Sequence, residues 1–528
     1  MNRSPYFSRR EFVRFISGTT AGLLAGGPGL LAAAKEKQIP FIEPSDEDAV
    51  RLADGLGYRV LISWGDKINP AGDKFGFNND YLDFVRVNDD PHDLLLWVNH
   101  ESASYGYFPT PAEGNKKTRE DVELERTEVG GSILRLKKSS GEWKVVDNDQ
   151  YNRRIDATTP IPFVAEGPIQ GATEATGTFA NCAGGRTPWN TILSCEENYH
   201  YYTGEVDLSE ERRYNMQPTV GWERFYDMTP EHFGWVVEID PFTGSAKKHT
   251  SMGRFAHESA TVVEAADGRC VVYSGDDKTD QFLYKLVASE PGSLDHGKLY
   301  AADTINGKWL LLDYLENPAL HGHFRSQLDL LVRTREAAAL AGATPLDRPE
   351  DIERDPASGA VFVTLTKNKR AGRPFGSILK IEEDNNDPLS LAFNASTFLT
   401  GGEHTGFACP DNLAFDKVGN LWFTSDISGE ELNHPPYSSF KNNGLFIVPM
   451  RGRQAGQVIQ VGSAPVHAEF TGIRFSDDGQ SLFLSVQHPG EESTGVDNLK
   501  SHWPNGGSAL PRPSVIVIEG EFLNTFCA

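Results

Sequence analysis

The sequence predicts an all-β, six-bladed propeller with short helical insertions. Two observations carry this reading. The first is composition: 51 Gly and 31 Pro in 528 residues favour many turns and short strands over long helices. The second is an internal repeat. Short apolar runs that end in polar or acidic residues recur at 94–101, 191–197, 270–277, 360–366, 420–426 and 481–488. Most follow a turn signal: Asp90-Pro91, Gly184-Gly185, Asp267-Gly268, Ser358-Gly359, Val418-Gly419 or Asp478-Gly479. Before each turn a second strand opens on a polar anchor. The anchors are Asn79-Asp80, Glu174, His257-Glu258, Pro349-Glu350, Pro410-Asp411 and Glu469 in Glu469-Phe470-Thr471-Gly472.

The unit is therefore anchor, strand, tight turn, strand, polar end. Repeated around a ring it makes propeller blades, with insertions filling the unequal spacing and every anchor at one end of the central channel. An ordinary β-sandwich is the simpler alternative, but sandwiches do not usually repeat an acid at one register. The Ala- and Leu-rich stretch 325–340 breaks the pattern. Its apolar spacing predicts a single helix that ends before Gly342 and leads into the Arg348-Pro349-Glu350 anchor.

Residues 1–34 read as a twin-arginine signal peptide. Arg9-Arg10 precede a weakly apolar, Gly-rich stretch, and Ala32-Ala33-Ala34 offer small residues for cleavage. Residues 35–528 then form one propeller domain, placed in the periplasm or outside the cell. The expected partners are the export machinery and small substrates, and the expected state is a monomer. With 74 acidic against 50 basic residues the formal charge is −24, which disfavours nucleic acid and anionic lipid as partners. Hydrophobic residues at 39%, including 30 Phe, suffice for a packed core. The five cysteines include no C-x-x-C pair, which excludes a zinc ribbon. No G-x-S-x-G elbow or G-x-x-x-x-G-K-[ST] loop is present.

If the ring geometry holds, Glu258, Glu350, Asp411 and Glu469 converge with Cys195, Glu196 and Glu197. Carboxylates gathered that closely need compensating charge, and the anchors bring mainly Arg254 and Arg348. Metal is the more economical compensation. Oxygen ligands point to calcium, and the thiol of Cys195 among carboxylates points to an added transition metal such as iron. Arg348, beside Glu350, suits a phosphate or carboxylate. Asp276-Asp277 and Asp426 read as turn residues, and His488 to Glu491 as part of the rim.

These segments resemble the PhoX-type alkaline phosphatases, also called the DUF839 family. The resemblance rests on Asn181-Cys182-Ala183-Gly184-Gly185-Arg186-Thr187-Pro188-Trp189, Ser194-Cys195-Glu196-Glu197-Asn198, His257-Glu258, Asp347-Arg348-Pro349-Glu350-Asp351, Pro410-Asp411-Asn412 and Gln487-His488-Pro489-Gly490. It implies a phosphomonoester hydrolase built on a mixed cluster of Fe3+ and Ca2+ with a bridging oxo group. Carried over by motif, Cys195, Glu196, Glu258, Glu350, Asp411, Asn412 and Glu469 would hold metal. Glu258, Glu350 and Arg348 would serve catalysis, Arg348 by clamping phosphate. Arg474 and Lys500 are candidates for the family's late basic residues. Two other classes fit a propeller with buried acids: a calcium-dependent lactonase and a non-catalytic, calcium-stabilised envelope module.

Overall fold

The computed structural model describes residues 37–208 and 212–528. The twin-arginine reading of residues 1–34 therefore lies outside the described residues. Residues 39–528 form one compact unit. No helix among the described residues is long and apolar enough to cross a membrane.

Six sheets, antiparallel except where Pro160–Val164 runs parallel to Ala246–His249 in the second, radiate from a common axis as the blades of a propeller. Their innermost strands are Asn79–Arg86, Asn181–Arg186, His257–Glu264, Pro349–Arg354, Pro410–Phe415 and Glu469–Phe475, which number blades 1 to 6. Each packs against the innermost strand of the next blade, and blade 6 returns to blade 1. The second strands are Asp93–His100, Ile192–Glu196, Cys270–Asp276, Val361–Leu365, Leu421–Ser425 and Ser481–Gln487. They are buried along their whole length. A strand covered on both faces by neighbouring blades needs apolar residues at every position, which is why these segments read as unbroken runs. Gly268 and Gly419 turn two of the hairpins at φ +83° and +88°, a region that costs glycine least.

Six apolar clusters fill the gaps between blades. Trp97, Ile133, Ile192 and Val237 join blades 1 and 2. Val272, Leu286, Leu193 and Phe255 join blades 2 and 3. Equivalent clusters centre on Tyr273 and Val363, on Phe423 and Phe362, on Trp422 and Leu484, and on Phe483 and Leu96. The ring is closed by the N-terminal side of the chain. Gly57–Ser63 pairs with Ser514–Glu519 as the outer strand of blade 6, and Arg51–Leu52 pairs with Ile459–Ser463 in blade 5.

Two expectations need correction. The 325–340 stretch forms two helices, Gln327–Val332 and Thr334–Ala341, broken at Arg333 (φ −108°, ψ 37°). The Arg254 backbone N–H takes the Leu331 carbonyl at 2.8 Å and also donates to the Thr334 hydroxyl at 3.1 Å, so a tertiary contact occupies the break. Gly342 caps the second helix at φ +89°, as its position suggested. In blade 2, Glu174 opens only an exposed edge strand, Glu174–Thr176. Gly184-Gly185 is no turn but the middle of the inner strand Asn181–Arg186. Its glycines are required by close approach: a Cβ on Gly185 would stand 1.9 Å from the Ala260 carbonyl oxygen of blade 3.

Candidate metal and active site

Every innermost pairing of the six blades carries an irregularity near the start of the inner strand. Such bulges re-aim side chains at the rim of a closed sheet. Here they accompany a ring of Asp80, Cys182, Glu258, Glu350, Asp411 and Glu469, one per blade, all lining one cavity of about 200 Å³. A second ring comes from the residues that follow the second strands. Glu101, Glu197, Asp277, Asp426 and His488 line the same cavity, and blade 4 has Thr366 at the matching place. With Glu491, ten carboxyl groups face Arg348 and His488, the only basic side chains among the described residues of the lining.

Burial and like charge dominate the electrostatics. Desolvation, with Glu101 nearby, raises the Asp80 carboxyl to about 8. Burial and neighbouring carboxylates push Glu197, Glu258, Glu350, Asp411 and Glu469 well above the usual range. Asp277 runs the other way: burial raises it, but Arg348 outweighs burial and holds it low. Asp277 grips Arg348 at both Nε (2.6 Å) and Nη2 (2.7 Å), a bidentate pair that fixes the guanidinium plane. Burial works against charge on His488, yet Glu491 and Glu469 lift its imidazole to about 10. Its Nε2 sits 2.6 Å from Glu469 Oε1, and its ring stacks on Tyr105.

The donor set suits cations. Glu258 Oε2 and Gln487 Oε1 are buried with no hydrogen-bond partner. Ligand atoms of Cys182, Glu197 and Glu258 lie within 4.8 Å of one another. The Cys182 thiol contacts Asp80 Oδ2 at 3.1 Å and Glu258 Oε1 at 3.4 Å, and burial followed by these acids raises its pKa well above that of a free thiol. A bound cation would reverse that shift by favouring the thiolate.

Glu258, Glu350, Asp411, Glu469 and Arg348 are brought together as the repeat predicts. Cys195 and Glu196 are not. Cys195 is buried in the apolar cluster between blades 2 and 3. The Glu196 carboxylate is engaged with Lys248 Nζ at 2.7 Å and with the backbone N–H groups of Gly234 and Trp235. Pairing, rather than metal, compensates its charge. Asn412 points away from the mouth: its amide donates to Asp411 Oδ1 and its oxygen accepts from Gly472 N–H, so it positions Asp411. Arg254 pairs with Glu205 at 2.9 Å. Arg474 pairs with Asp83 at 2.8 Å in a separate cavity, and Lys500 is not in the mouth lining. Glu197, the Asp80 anchor and His488 of the rim line the cavity as expected, and the structure adds Cys182, Glu101, Asp277 and Asp426. All five cysteines are free. Because Lys248 and Glu196 are both fully buried, replacing Lys248 by Met strands a charge and should destabilise the protein by about 3–5 kcal/mol, read as a lower denaturant midpoint.

Comparison with known proteins places this architecture. The family model described as alkaline phosphatase PhoX matches residues 38–490. The chain belongs to the alkaline phosphatase PhoX family. It is a metal-dependent hydrolase of phosphate monoesters on a propeller fold. Among solved structures it is similar to Pseudomonas fluorescens PhoX in complex with vanadate, a transition state analogue. That match has 30% identity, covers 92% of this chain and 98% of the other, and has a TM-score of 0.82. A gluconolactonase from Xanthomonas campestris matches at 12% identity over 92% of this chain and 98% of its own, with a TM-score of 0.37. No curated protein matches the chain.

Proposed function

We propose that phosphate monoesters are hydrolysed at the acidic mouth of the propeller, with iron and calcium ions held by the inner ring. The observation that carries this reading is the convergence of one ligand-type side chain from each blade, with Glu258 Oε2 buried and unpartnered. Cys182, Glu197 and Glu258 combine a thiol with two carboxylates, a donor set suited to iron. Asp80, Glu350, Asp411 and Glu469 offer oxygen alone, which suits calcium. When bound, the ions supply the Lewis acidity and positive field that admit a phosphate dianion.

The chain's own residues do the rest. Arg348, held planar by Asp277, keeps its Nη1 donors for a non-bridging phosphate oxygen. Asp277 remains ionised because the guanidinium is beside it, so the clamp stays charged while its neighbours titrate. His488 keeps a proton on Nε2, donated to Glu469 Oε1, which limits repulsion within the ring. Tyr105 stacks on that imidazole and fixes its plane.

Elemental analysis of purified protein, with 4-nitrophenyl phosphate turnover before and after chelation, tests the reading. The expected result is bound iron and calcium and a loss of turnover of at least about 100-fold on chelation, restored by adding the ions back. Undiminished turnover by fully stripped protein would overturn it. We also propose export by the twin-arginine route, which carries folded proteins and so permits metal loading before export. Replacing Arg9-Arg10 with Lys-Lys should leave the protein in the cytoplasm, as read by fractionation.

A further inference from the structure

The acidic rings are interrupted at one blade. Where the other blades follow their second strand with Glu101, Glu197, Asp277, Asp426 or His488, blade 4 has Thr366, and Lys367-Asn368-Lys369-Arg370 come next. This loop lines a second cavity of about 430 Å³ that shares Arg348 and Ser428 with the acidic mouth. Its lining holds four cationic side chains, Arg348, Lys367, Lys369 and Arg370, against Glu430 and Glu431. In a chain of charge −24, that excess sits directly beside the phosphate clamp.

The loop is built to hold its shape. The backbones of Asn368 and Arg373 bond each other in both directions, at 2.8 and 2.9 Å. The Asn368 amide donates to Asp347 at 2.9 Å and to Asp280 at 3.1 Å, and its oxygen accepts from Ala371 N–H. Lys367 Nζ reaches Glu431 Oε2 at 2.7 Å and Ser428 Oγ at 3.2 Å. Lys369 contacts the same Glu431 carboxylate, so one carboxylate is shared by two ammonium groups. Lys369 and Arg370 stay largely exposed, at 52% and 75% of their side-chain surface, although Arg370 also pairs with the exposed Asp280 at 2.9 Å. Two exposed cations on a fixed loop, beside a shared carboxylate, form a site for an anion that comes with the substrate.

We propose that this loop is a leaving-group subsite, selecting phosphate monoesters whose alcohol carries a second phosphate. The inference rests on the phosphatase reading of the adjoining mouth. One phosphate engages Arg348 at the mouth. The other lies over Lys369 and Arg370, while the P–O bond to the alcohol is cleaved by water, giving inorganic phosphate and the phosphorylated alcohol. Both products are anions, and the subsite favours the one that keeps its phosphate.

The test compares kcat/KM for a hexose 6-phosphate and the matching hexose 1,6-bisphosphate, in the metal-loaded wild type, the Lys369→Ala/Arg370→Ala double variant and Lys369→Glu. The wild type should prefer the bisphosphate, and rising salt should erode that preference. The double variant should lower the bisphosphate-to-monophosphate ratio by about tenfold, the size expected for loss of two charge-assisted contacts. Lys369→Glu should lower it further. A ratio unchanged within twofold in both variants would overturn the subsite. So would equal losses on both substrates, which would place the loop's role at the shared phosphate or in folding. Absence of monophosphate turnover by the wild type would instead overturn the phosphatase reading, and this one with it.

Discussion

Stripped of its cations, the protein should lose stability as pH rises from about 4 to 8, and adding calcium should cancel that loss. The sign follows from the direction of the shifts. A carboxyl whose folded pKa is raised binds its proton more tightly in the native state. Its contribution is fully present below the unfolded value and disappears as pH climbs to the folded one. Asp80 sets the window, from its ordinary 3.8 to about 8. At about 1.4 kcal/mol per unit, this one group makes the protein on the order of 5 kcal/mol less stable at the upper end. Glu197, Glu258, Glu350, Asp411 and Glu469 act in the same direction. Buried histidines oppose the trend. Burial holds His257 near 3 and His200 near 4, so each favours folding as pH rises through the range up to 6.5. His100, His232 and His467 are lowered by burial as well, but the window of every such histidine closes at 6.5, whereas that of Asp80 runs to about 8 and the carboxyls also repel one another. Bound cations replace protons as the compensating charge, which removes the reason for the shifts. Denaturant midpoints of chelated and calcium-loaded protein across pH 4–8 make the check. A stripped protein that grows more stable towards pH 8 would show that the acids are compensated from within the chain.

The parts of this site that could be read from sequence are those where one physical demand acts alone. Second strands are buried on both faces, so their apolar runs stand out. Five inner strands open at the anchors the repeat requires: Asn79-Asp80, His257-Glu258, Pro349-Glu350, Pro410-Asp411 and Glu469. Blade 2 failed because two demands use the same residue. Glycine serves both tight turns and close backbone approach, and Gly184-Gly185 serves the second. Reading it as a turn put the anchor at Glu174 and left Cys195, rather than Cys182, as the thiol expected in the cavity. A signal for the right register was present: Asn181-Cys182 repeats the Asn79-Asp80 pattern that opens blade 1. Asp277 and Asp426 were missed for a related reason. An Asp beside a strand end is ordinarily a turn residue, and only closure of the ring brings both to the acidic cavity. Glu196 carried the opposite ambiguity, since its charge is met by Lys248, which lies 52 residues further along the chain.

The two cysteines of blade 2 give the sharpest test of the site. Cys182→Ala should lower 4-nitrophenyl phosphate turnover by at least about 100-fold, together with bound iron, because it removes the one thiol that faces Glu197 and Glu258. Its effect on the denaturant midpoint of the stripped protein should be small, since the thiol makes only two contacts with acids that are themselves uncompensated. Cys195→Ala should do the reverse. That side chain is fully buried among Leu193, Val236 and Phe255, and shortening it should cost about 1–2 kcal/mol of stability while iron content and turnover per folded molecule stay at wild-type levels. The signs differ on both readouts, so a general folding defect cannot imitate the pattern. If Cys195→Ala lost iron and Cys182→Ala kept it, the inner-strand ring would be the wrong ligand set. If both variants kept iron and full turnover, neither thiol would be a ligand, and the acids alone would hold the ions.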